Sequence, residues 1–277
     1  MKCSSEVDRV PKVFVLALDG LDYDMVVDWR LKHLMQKHYG RIKSIINKQL
    51  GVPTSPQVWG SFITGQVQQI DSWHVYNRVL EWIRRESPLK WIKGKRKLSI
   101  RLGMKPDIVG RKHIVGKTLF DIFPKSIAID VPTYNPRVTD FIHLMETKLK
   151  VGVEAWEEEC YALHHRTVEE IFERLDEEWD LFMVWVPIAD QLGHLGRKAK
   201  IRAMYQKLNL LAYNIGCACP ENTLLTIVSD HGIEFLPDRT GGHTNYAFYS
   251  FNMQTDWKPE RITDFYQFII EKLNSEL

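Results

Sequence analysis

The sequence contains no run of about 18 apolar residues, so no membrane-spanning helix is expected. The stretch Met1 to Val10 is polar and lacks the apolar core of a secretion signal. Only four cysteines occur in 277 residues, too few for a disulfide framework. Cys217 and Cys219 lie two apart, poorly spaced for a bridge, and a soft-metal role for them is less expected than that of buried thiols at a helix end. Reduced thiols and a cytoplasmic location are therefore expected. Net charge is also lacking: 37 Lys and Arg face 35 Asp and Glu. That balance argues against a wholly basic nucleic-acid protein and against an acidic disordered chain. Internal repeats, low-complexity linkers and a clear domain boundary are absent as well, so residues 1–277 read as one catalytic-type domain.

What remains is an ordinary globular composition, 44% hydrophobic and 26% charged, with nine tryptophans. Lys12–Leu18 (KVFVLAL) is a short apolar run ending in Asp19-Gly20 and predicts a buried strand. Residues 23–37 read as helical, and 39–46 as a second strand. Ser55-Pro56 opens a helix with Trp59, Phe62 and Ile63 on its apolar face, Ser55 at the N-cap and Pro56 at the first helical position. Apolar residues at 156, 160, 163, 168, 171, 172, 175 and 179 give residues 154–180 an amphipathic helical period. A further strand, 180–187, leads to Asp190. Residues 197–215 form a helix with Ile201, Met204, Tyr205, Leu208, Leu211, Ala212 and Ile215 on one face. Strand 223–229 ends in Asp230-His231-Gly232, and residues 259–275 predict a terminal helix. Strands alternating with helices imply an α/β three-layer sandwich around a mainly parallel sheet. Sites in such sheets gather at the carboxyl ends of the strands, and Asp19, Asp190 and Asp230 all follow apolar runs there.

The polar residues after these runs are Asp19, Ser55, Asp190, His194, Asp230, His231 and His243. Each has a bland reading: Asp19-Gly20 as a turn signal, Ser55 as a helix cap, Asp190 and His194 as surface loop residues. His243 alone carries little information. Asp230-His231 at the end of a buried strand is harder to explain blandly, because a buried acid and imidazole need partners. Together, three carboxylates and three imidazoles exceed the roughly four ligands of one zinc site. Divided between two divalent ions, with a hydroxyl joining one of them, the count works. Nitrogen and oxygen ligands suit zinc, and manganese or iron also. Two such ions are a recurrent device for in-line displacement at phosphorus. Three carboxylates with two divalent ions leave a charge near +1, which suits an anionic phosphoryl ester.

Asp19 in LALDGLD, PTSPQVWGSFITG at 53–65, Asp190-Gln191-Leu192-Gly193-His194, Ser229-Asp230-His231-Gly232 and Gly242-His243 occur in an order that resembles the alkaline phosphatase superfamily. The nearest branch is that of the type I phosphodiesterases and nucleotide pyrophosphatases. The resemblance implies that Asp19, Asp230, His231 and the nucleophile hold one metal, and that Asp190, His194 and His243 hold the other. It implies that Ser55, four residues before Trp59, is the nucleophile, with Thr54 the alternative. A hydroxyl at a helix N-terminus sits in positive potential, which agrees. It also implies a side-chain amide on a phosphoryl oxygen, for which Asn77 is the best match. The chain departs from the pattern at Ala247, where relatives often have glycine, and in Gln66 to Trp73. Sulfatases share the fold, but Ser55-Pro56-Gln57-Val58-Trp59 does not fit their Cys/Ser-x-Pro-x-Arg motif.

The expected activity is metal-dependent hydrolysis of phosphoric esters by a phosphodiesterase or nucleotide pyrophosphatase, on a small phosphorylated substrate, a nucleotide-like one among the readings. Alternatives are a phosphomonoesterase, a phosphonate hydrolase or a phosphomutase on the same scaffold, or a nucleic-acid-binding protein with a decayed site. The last would rely on residues 84–113, which hold eleven Lys and Arg against two acids, while 154–180 holds eleven acids against two bases. A solvated face is the usual meaning of such a run. An insertion at about 78–115 forming a cationic cap beside the site, which favours polyanionic substrates by steering, is the other reading. The remaining histidines read as structural or surface residues, with His74 nearest to a substrate role.

Overall fold

The computed structural model describes residues 12–75, 107–137, 144, 147–148, 150–238 and 240–273. Strand β1 (Lys12–Leu18) is buried from Val13 to Leu18. A strand apolar on both faces belongs in the middle of a sheet, and β1 lies there. It pairs in parallel with β6 (Leu181–Val186) on one side and with β7 (Thr223–Val228) on the other. With β2 (His38–Lys43), β5 (Ser126–Ile129) and β10 (Tyr246–Phe251), the six-stranded order is β2-β10-β7-β1-β6-β5. β10 runs antiparallel to both of its neighbours, so the sheet is mainly, not wholly, parallel. Two short antiparallel strand pairs among the described residues accompany it: β3 (His74–Val75) with β4 (Asp107–Ile108), and the hairpin β8 (Ile233–Phe235) with β9 (Gly241–His243).

The alternation along β1 divides the core. Phe14, Leu16 and Leu18 enter one apolar cluster, and Val13, Val15 and Ala17 enter the other. The first face is covered by α1 (Tyr23–Asp28), α2 (Lys32–Met35), α5 (Val153–Arg174), α6 (Ile188–Gly193) and α7 (Lys198–Ala218). The second is covered by α3 (Ser55–Thr64), α4 (Leu119–Ile122) and α8 (Asp264–Leu273). This is the three-layer α/β sandwich expected. No described helix is long and apolar enough to cross a membrane.

Local details differ from the sequence reading. Thr54, not Ser55, is the N-cap of α3: its carbonyl accepts the first helical bond from the Val58 amide at 3.0 Å, so Ser55 and Pro56 occupy the first turn. Asp190 does not end a strand but sits within the short helix α6. On α5 the buried stripe contains Trp156, Cys160, Leu163, Thr167 and Ile171, whereas Phe172 is 36% exposed. Adjacent helical residues point about 100° apart, which turns Phe172 away from the stripe that Ile171 continues. Cys217 is exposed rather than buried, and Cys160, Cys217 and Cys219 are free thiols. The expected cap at 78–115 and Asn77 fall largely outside the described residues. Of that stretch, Lys112 pairs with Asp107 and Arg111 with Asp121 at 2.8 Å. Described acids of α5 pair elsewhere: Glu157 with Arg197 at 2.6 Å and with Lys200, and Glu170 with Arg137.

His164 on α5 is 8% exposed, and its Nδ1 lacks a hydrogen-bond partner among the described residues. Burial, then the nearby His165 and Lys207, push its pKa down to about 4. The folded protein therefore holds it neutral, while the unfolded chain takes up a proton near pH 6.5. Its contribution is intact above that pH and is lost as pH falls from 6.5 toward 4, by up to roughly 3 kcal/mol. In urea titrations, His164→Leu is expected to lose less stability than the wild type between pH 7 and 4.5. Equal losses would show that the charging of His164 does not drive acid unfolding.

Candidate metal centre

β1 delivers Asp19 to the carboxyl edge of the sheet, and a tight turn follows. Gly20 has φ of +73°, and a Cβ there would lie 2.9 Å from the Asp190 Cα. Glycine is thus what lets α6 bring Asp190 against Asp19. The turn is fastened from α7. The Tyr205 hydroxyl donates to the Gly20 carbonyl at 2.7 Å and accepts from the Asp22 amide at 2.8 Å. β7 delivers Asp230 and His231, both fully buried. The Gly20 amide donates to Asp230 Oδ1 at 3.3 Å. Hairpin β8–β9 carries His243 back over the edge. Gly241 is required there, because a Cβ would come within 2.1 Å of the Gly193 carbonyl. That close approach sets β9 beside the segment that bears His194.

Six of the seven expected ligand residues converge around the three carboxylates. His231 Nε2 lies 3.3 Å from Asp19 Oδ1, 3.4 Å from Asp230 Oδ2 and 4.0 Å from Asp190 Oδ1. His243 Nε2 lies 3.4 Å from Asp190 Oδ1, and His194 Nε2 lies 3.3 Å from Asp190 Oδ2. The rings of His231 and His243 stack with centroids 3.8 Å apart. The seventh residue, Ser55, donates its Oγ–H to Asp19 Oδ1 at 3.3 Å. Thr54 turns away, its hydroxyl 3.5 Å from the Ile70 carbonyl. Two groups have ligand atoms close enough to share an ion: Asp19, Asp230 and His231, and Asp190, His231 and His243. His231 thus borders both groups instead of belonging to one. His194 is the outermost ligand-type residue, its side chain 44% exposed.

The electrostatics follow from crowding. Burial, reinforced by Asp230 and Asp190, holds the Asp19 carboxyl well above the usual carboxylate range. Asp190 is also buried, yet hydrogen bonds from His194 and His243 hold it well below that range. Burial opposes charge on His231, but Asp230, Asp19 and Asp190 outweigh it and push its pKa up to about 10. Asp190 Oδ1, Asp230 Oδ2 and His231 Nε2 are buried without a well-formed hydrogen bond among the described residues. Such a cluster calls for positive charge at its centre. The ring orientations suit a metal ion: His243 Nδ1–H is aimed at the Pro53 carbonyl at 2.9 Å, and His231 Nδ1–H at the Gly232 carbonyl at 3.0 Å. Both Nε2 atoms then face the carboxylates as potential ligands. A cation entering here would displace the His231 Nε2 proton.

Sequence reasoning missed Trp185, whose Nε1–H donates to Asp19 Oδ2 at 3.1 Å. It lies inside the apolar run of β6 and reads as core; its only signal is its place next to the strand's end. Tyr205 was read as core for the same reason, as a member of an apolar helix face.

Residues 13–267 match the family model of type I phosphodiesterase / nucleotide pyrophosphatase. The chain belongs to this family. No curated protein matches the sequence significantly. Similar solved structures share the fold at low identity. Murine ectonucleotide pyrophosphatase / phosphodiesterase 5, in an inactive form in complex with AMP, is 14% identical with a TM-score of 0.51, over 82% of this chain and 59% of that one. Phosphonoacetate hydrolase from Sinorhizobium meliloti 1021, in complex with phosphonoformate, is 12% identical with a TM-score of 0.50, over 83% and 59%. An alkaline phosphatase mutant of the Antarctic bacterium TAB5, with Mg bound, is 11% identical with a TM-score of 0.53, over 96% and 98%. The phosphodiesterase-family chain therefore spans about three fifths of the first two structures' chains and nearly all of the third.

The repulsion among Asp19, Asp190 and Asp230 gives a measurable signature. Zinc or manganese added to metal-stripped protein is expected to raise Tm by several degrees, since an ion at 100 times its Kd contributes about 2.7 kcal/mol. Asp230→Ala is expected to raise the Tm of the stripped protein and to remove most of the metal-dependent gain. A variant that loses Tm without metal yet keeps the full gain would remove Asp230 from the centre.

Proposed function

We propose that this chain is a phosphodiesterase that cleaves small phosphorylated, nucleotide-like diesters through a covalent Ser55 intermediate at a two-metal centre. The observation that carries the reading is Ser55 itself: its Oγ sits in the first turn of α3 and 3.3 Å from the buried Asp19 carboxylate. Asp19, Asp230 and His231, with Ser55, would hold one divalent ion; Asp190, His194 and His243 would hold the second, zinc being the best match to the nitrogen and oxygen donors. Bound there, the ions supply positive charge that lowers the pKa of an oxygen nucleophile and neutralises phosphoryl oxygens.

The residues themselves do the positioning. Asp19 accepts the Ser55 hydrogen bond and fixes the direction of the Oγ lone pairs. The N-terminus of α3 adds positive potential for an incoming phosphoryl group. Ser55 Oγ attacks phosphorus as the bond to the leaving oxygen breaks; serine gives up one proton and the departing alcohol gains one. Water then cleaves the serine ester, restores the hydroxyl and releases the phosphoryl product. The phosphonoacetate hydrolase named above keeps a phosphonate substrate in view as a second reading, distinguished by the same assay. A cytoplasmic location belongs to the proposal and rests on the sparse cysteines.

Purified protein reconstituted with zinc is expected to turn over bis-p-nitrophenyl phosphate faster than p-nitrophenyl phosphate or phosphonoacetate. Ser55→Ala is expected to reduce kcat on the order of 10²-fold or more, while Thr54→Ala stays near wild type. The opposite pattern would make Thr54 the nucleophile. Faster turnover of the monoester or the phosphonate would replace the diesterase reading.

A further inference from the structure

The loop between β2 and α3 carries an exposed apolar group. Ile46 is 38% exposed, Leu50 57% and Val52 38%. Nowhere else among the described residues do three large apolar side chains lie exposed within seven positions. β2 and β7 both run antiparallel to β10 and hence parallel to each other, so the loop leaves the sheet at the same carboxyl edge as Asp230. It ends at Pro53, whose carbonyl receives the His243 Nδ1–H at 2.9 Å, and Ser55 follows two residues later. The loop is thus fixed in place relative to the centre.

Buried Asn47 builds the loop from inside. Its amide donates to the Val52 carbonyl at 3.0 Å, and its carbonyl accepts from the Gly51 amide at 2.9 Å. Its Oδ1 accepts from the Gln49 and Leu50 amides at 2.9 and 3.1 Å. Its Nδ2 is aimed at Gln57, the Ile70 carbonyl and Asp71 at 3.2 to 3.3 Å. The amides of 47, 49, 50 and 51 are therefore satisfied without water, and the loop loses few hydrogen bonds on entering a drier medium. Gly51 has φ of +74°, and a Cβ there would meet nothing within 4 Å, so the tip projects and lines no groove. The charge around it has one sign. Residues 38–52 hold Arg41, Lys43 and Lys48 and no acid. Lys43 and Lys48 are exposed on either side of Ile46. Tyr246, 43% exposed, pairs with Lys43 across β10 and β2, and the Arg41 guanidinium lies 5.1 Å from its ring centroid. Asp24 reaches that guanidinium at 3.8 Å, which leaves Lys43 and Lys48 as the cations nearest the tip in sequence.

We propose that loop 46–52 is an interfacial anchor that seats this edge of the sheet on an anionic lipid bilayer. Ile46, Leu50 and Val52 enter the headgroup boundary, Lys43 and Lys48 meet the lipid phosphates, and Tyr246 lies at the polar level. A specific protein interface buries roughly 800 Å² per partner, which a projecting tip of three side chains does not supply. A bilayer takes in such a tip without a shaped receptor. Three apolar side chains and two lysines give weak, reversible, salt-sensitive binding. The anchor does not depend on which ester the centre cleaves.

Flotation of the zinc-reconstituted protein tests it, with vesicles of phosphatidylcholine alone or mixed with about 30% phosphatidylglycerol. The protein is expected to float with the anionic vesicles and to be released as salt rises from about 0.1 M to 1 M. Leu50→Ser combined with Val52→Ser is expected to weaken binding on the order of 10-fold or more, while Leu50→Trp retains it. Lys43→Gln combined with Lys48→Gln is expected to weaken binding to anionic vesicles by about 10-fold. All these positions are exposed, and an unchanged Tm reports that each variant has folded. Flotation with neither vesicle, or equal flotation of the double serine variant and the wild type, would overturn the anchor. Release by excess inorganic phosphate would place the lipid contact at the metal centre and overturn it as well. A wild-type dimer in sedimentation velocity that the double serine variant loses, without vesicle binding, would make the loop a protein contact instead.

Discussion

Three carboxylates forced together at a buried sheet edge are the constraint on which the rest depends. Asp19 and Asp230 are 1% and 0% exposed, and Asp190 closes the group from α6. Among the described residues, Gly20 N–H, Trp185 Nε1–H, Ser55 Oγ–H and the His231 ring reach the first two. Coulomb repulsion at such separations in a dry interior is worth several kcal/mol. Something cationic must offset it. Against its burial, Asp230, Asp19 and Asp190 push the pKa of the His231 imidazole up to about 10, which offsets part of it. The chemistry that suits such a cluster is the chemistry of divalent ions and phosphoryl oxygens, so a stability problem and a catalytic requirement have one answer.

The carboxylates would move apart if the backbone allowed it. What prevents this is a set of contacts that use main-chain atoms more than side chains. Tyr205 clamps the turn after β1 from a helix nearly 200 positions later in the chain. Ser44 Oγ donates to the Asp230 carbonyl at 2.5 Å, and Ser229 Oγ to the Leu21 carbonyl at 2.9 Å. His243 reaches the Pro53 carbonyl, which ties β9 to the segment that ends in Ser55. His243 and Ser55 are thus joined through one hydrogen bond to the chain two residues before Ser55. Rigid scaffolding of this kind is what electrostatic preorganisation needs.

The fold and the residues that meet at the sheet edge were largely legible because both leave short-range marks. An apolar run that terminates in an acid marks a buried strand and its functional end at once, as at Asp19 and Asp230. Asp190 was visible as a residue but not in its setting, since six residues of helix after a strand have no periodicity to read. His243, after two glycines, acquired meaning only from the order of the other motifs. Trp185 and Tyr205 were invisible for a different reason. Each lies in an element whose apolar period already explains it, so nothing local distinguishes a core residue from one that also bonds to the residues at the sheet edge.

The charge pattern resolves in part into local pairs. Opposed acidic and basic stretches suggest steering fields, yet the described part of the acidic helix spends its carboxylates on holding layers together. Glu157, 6% exposed, joins α5 to Arg197 and Lys200 just after His194, and Glu170 restrains Arg137. Exposed pairs such as Lys112 with Asp107 act across a screening length of about 8 Å and contribute little. Among the described residues, the densest buried charge is at the edge where Asp19, Asp190 and Asp230 meet three imidazoles. An anionic phosphoryl group has reason to enter there only after cations have reversed that local sign. In the proposed reaction, selection of a phosphoryl group would rest on that buried cluster and on the cations it holds.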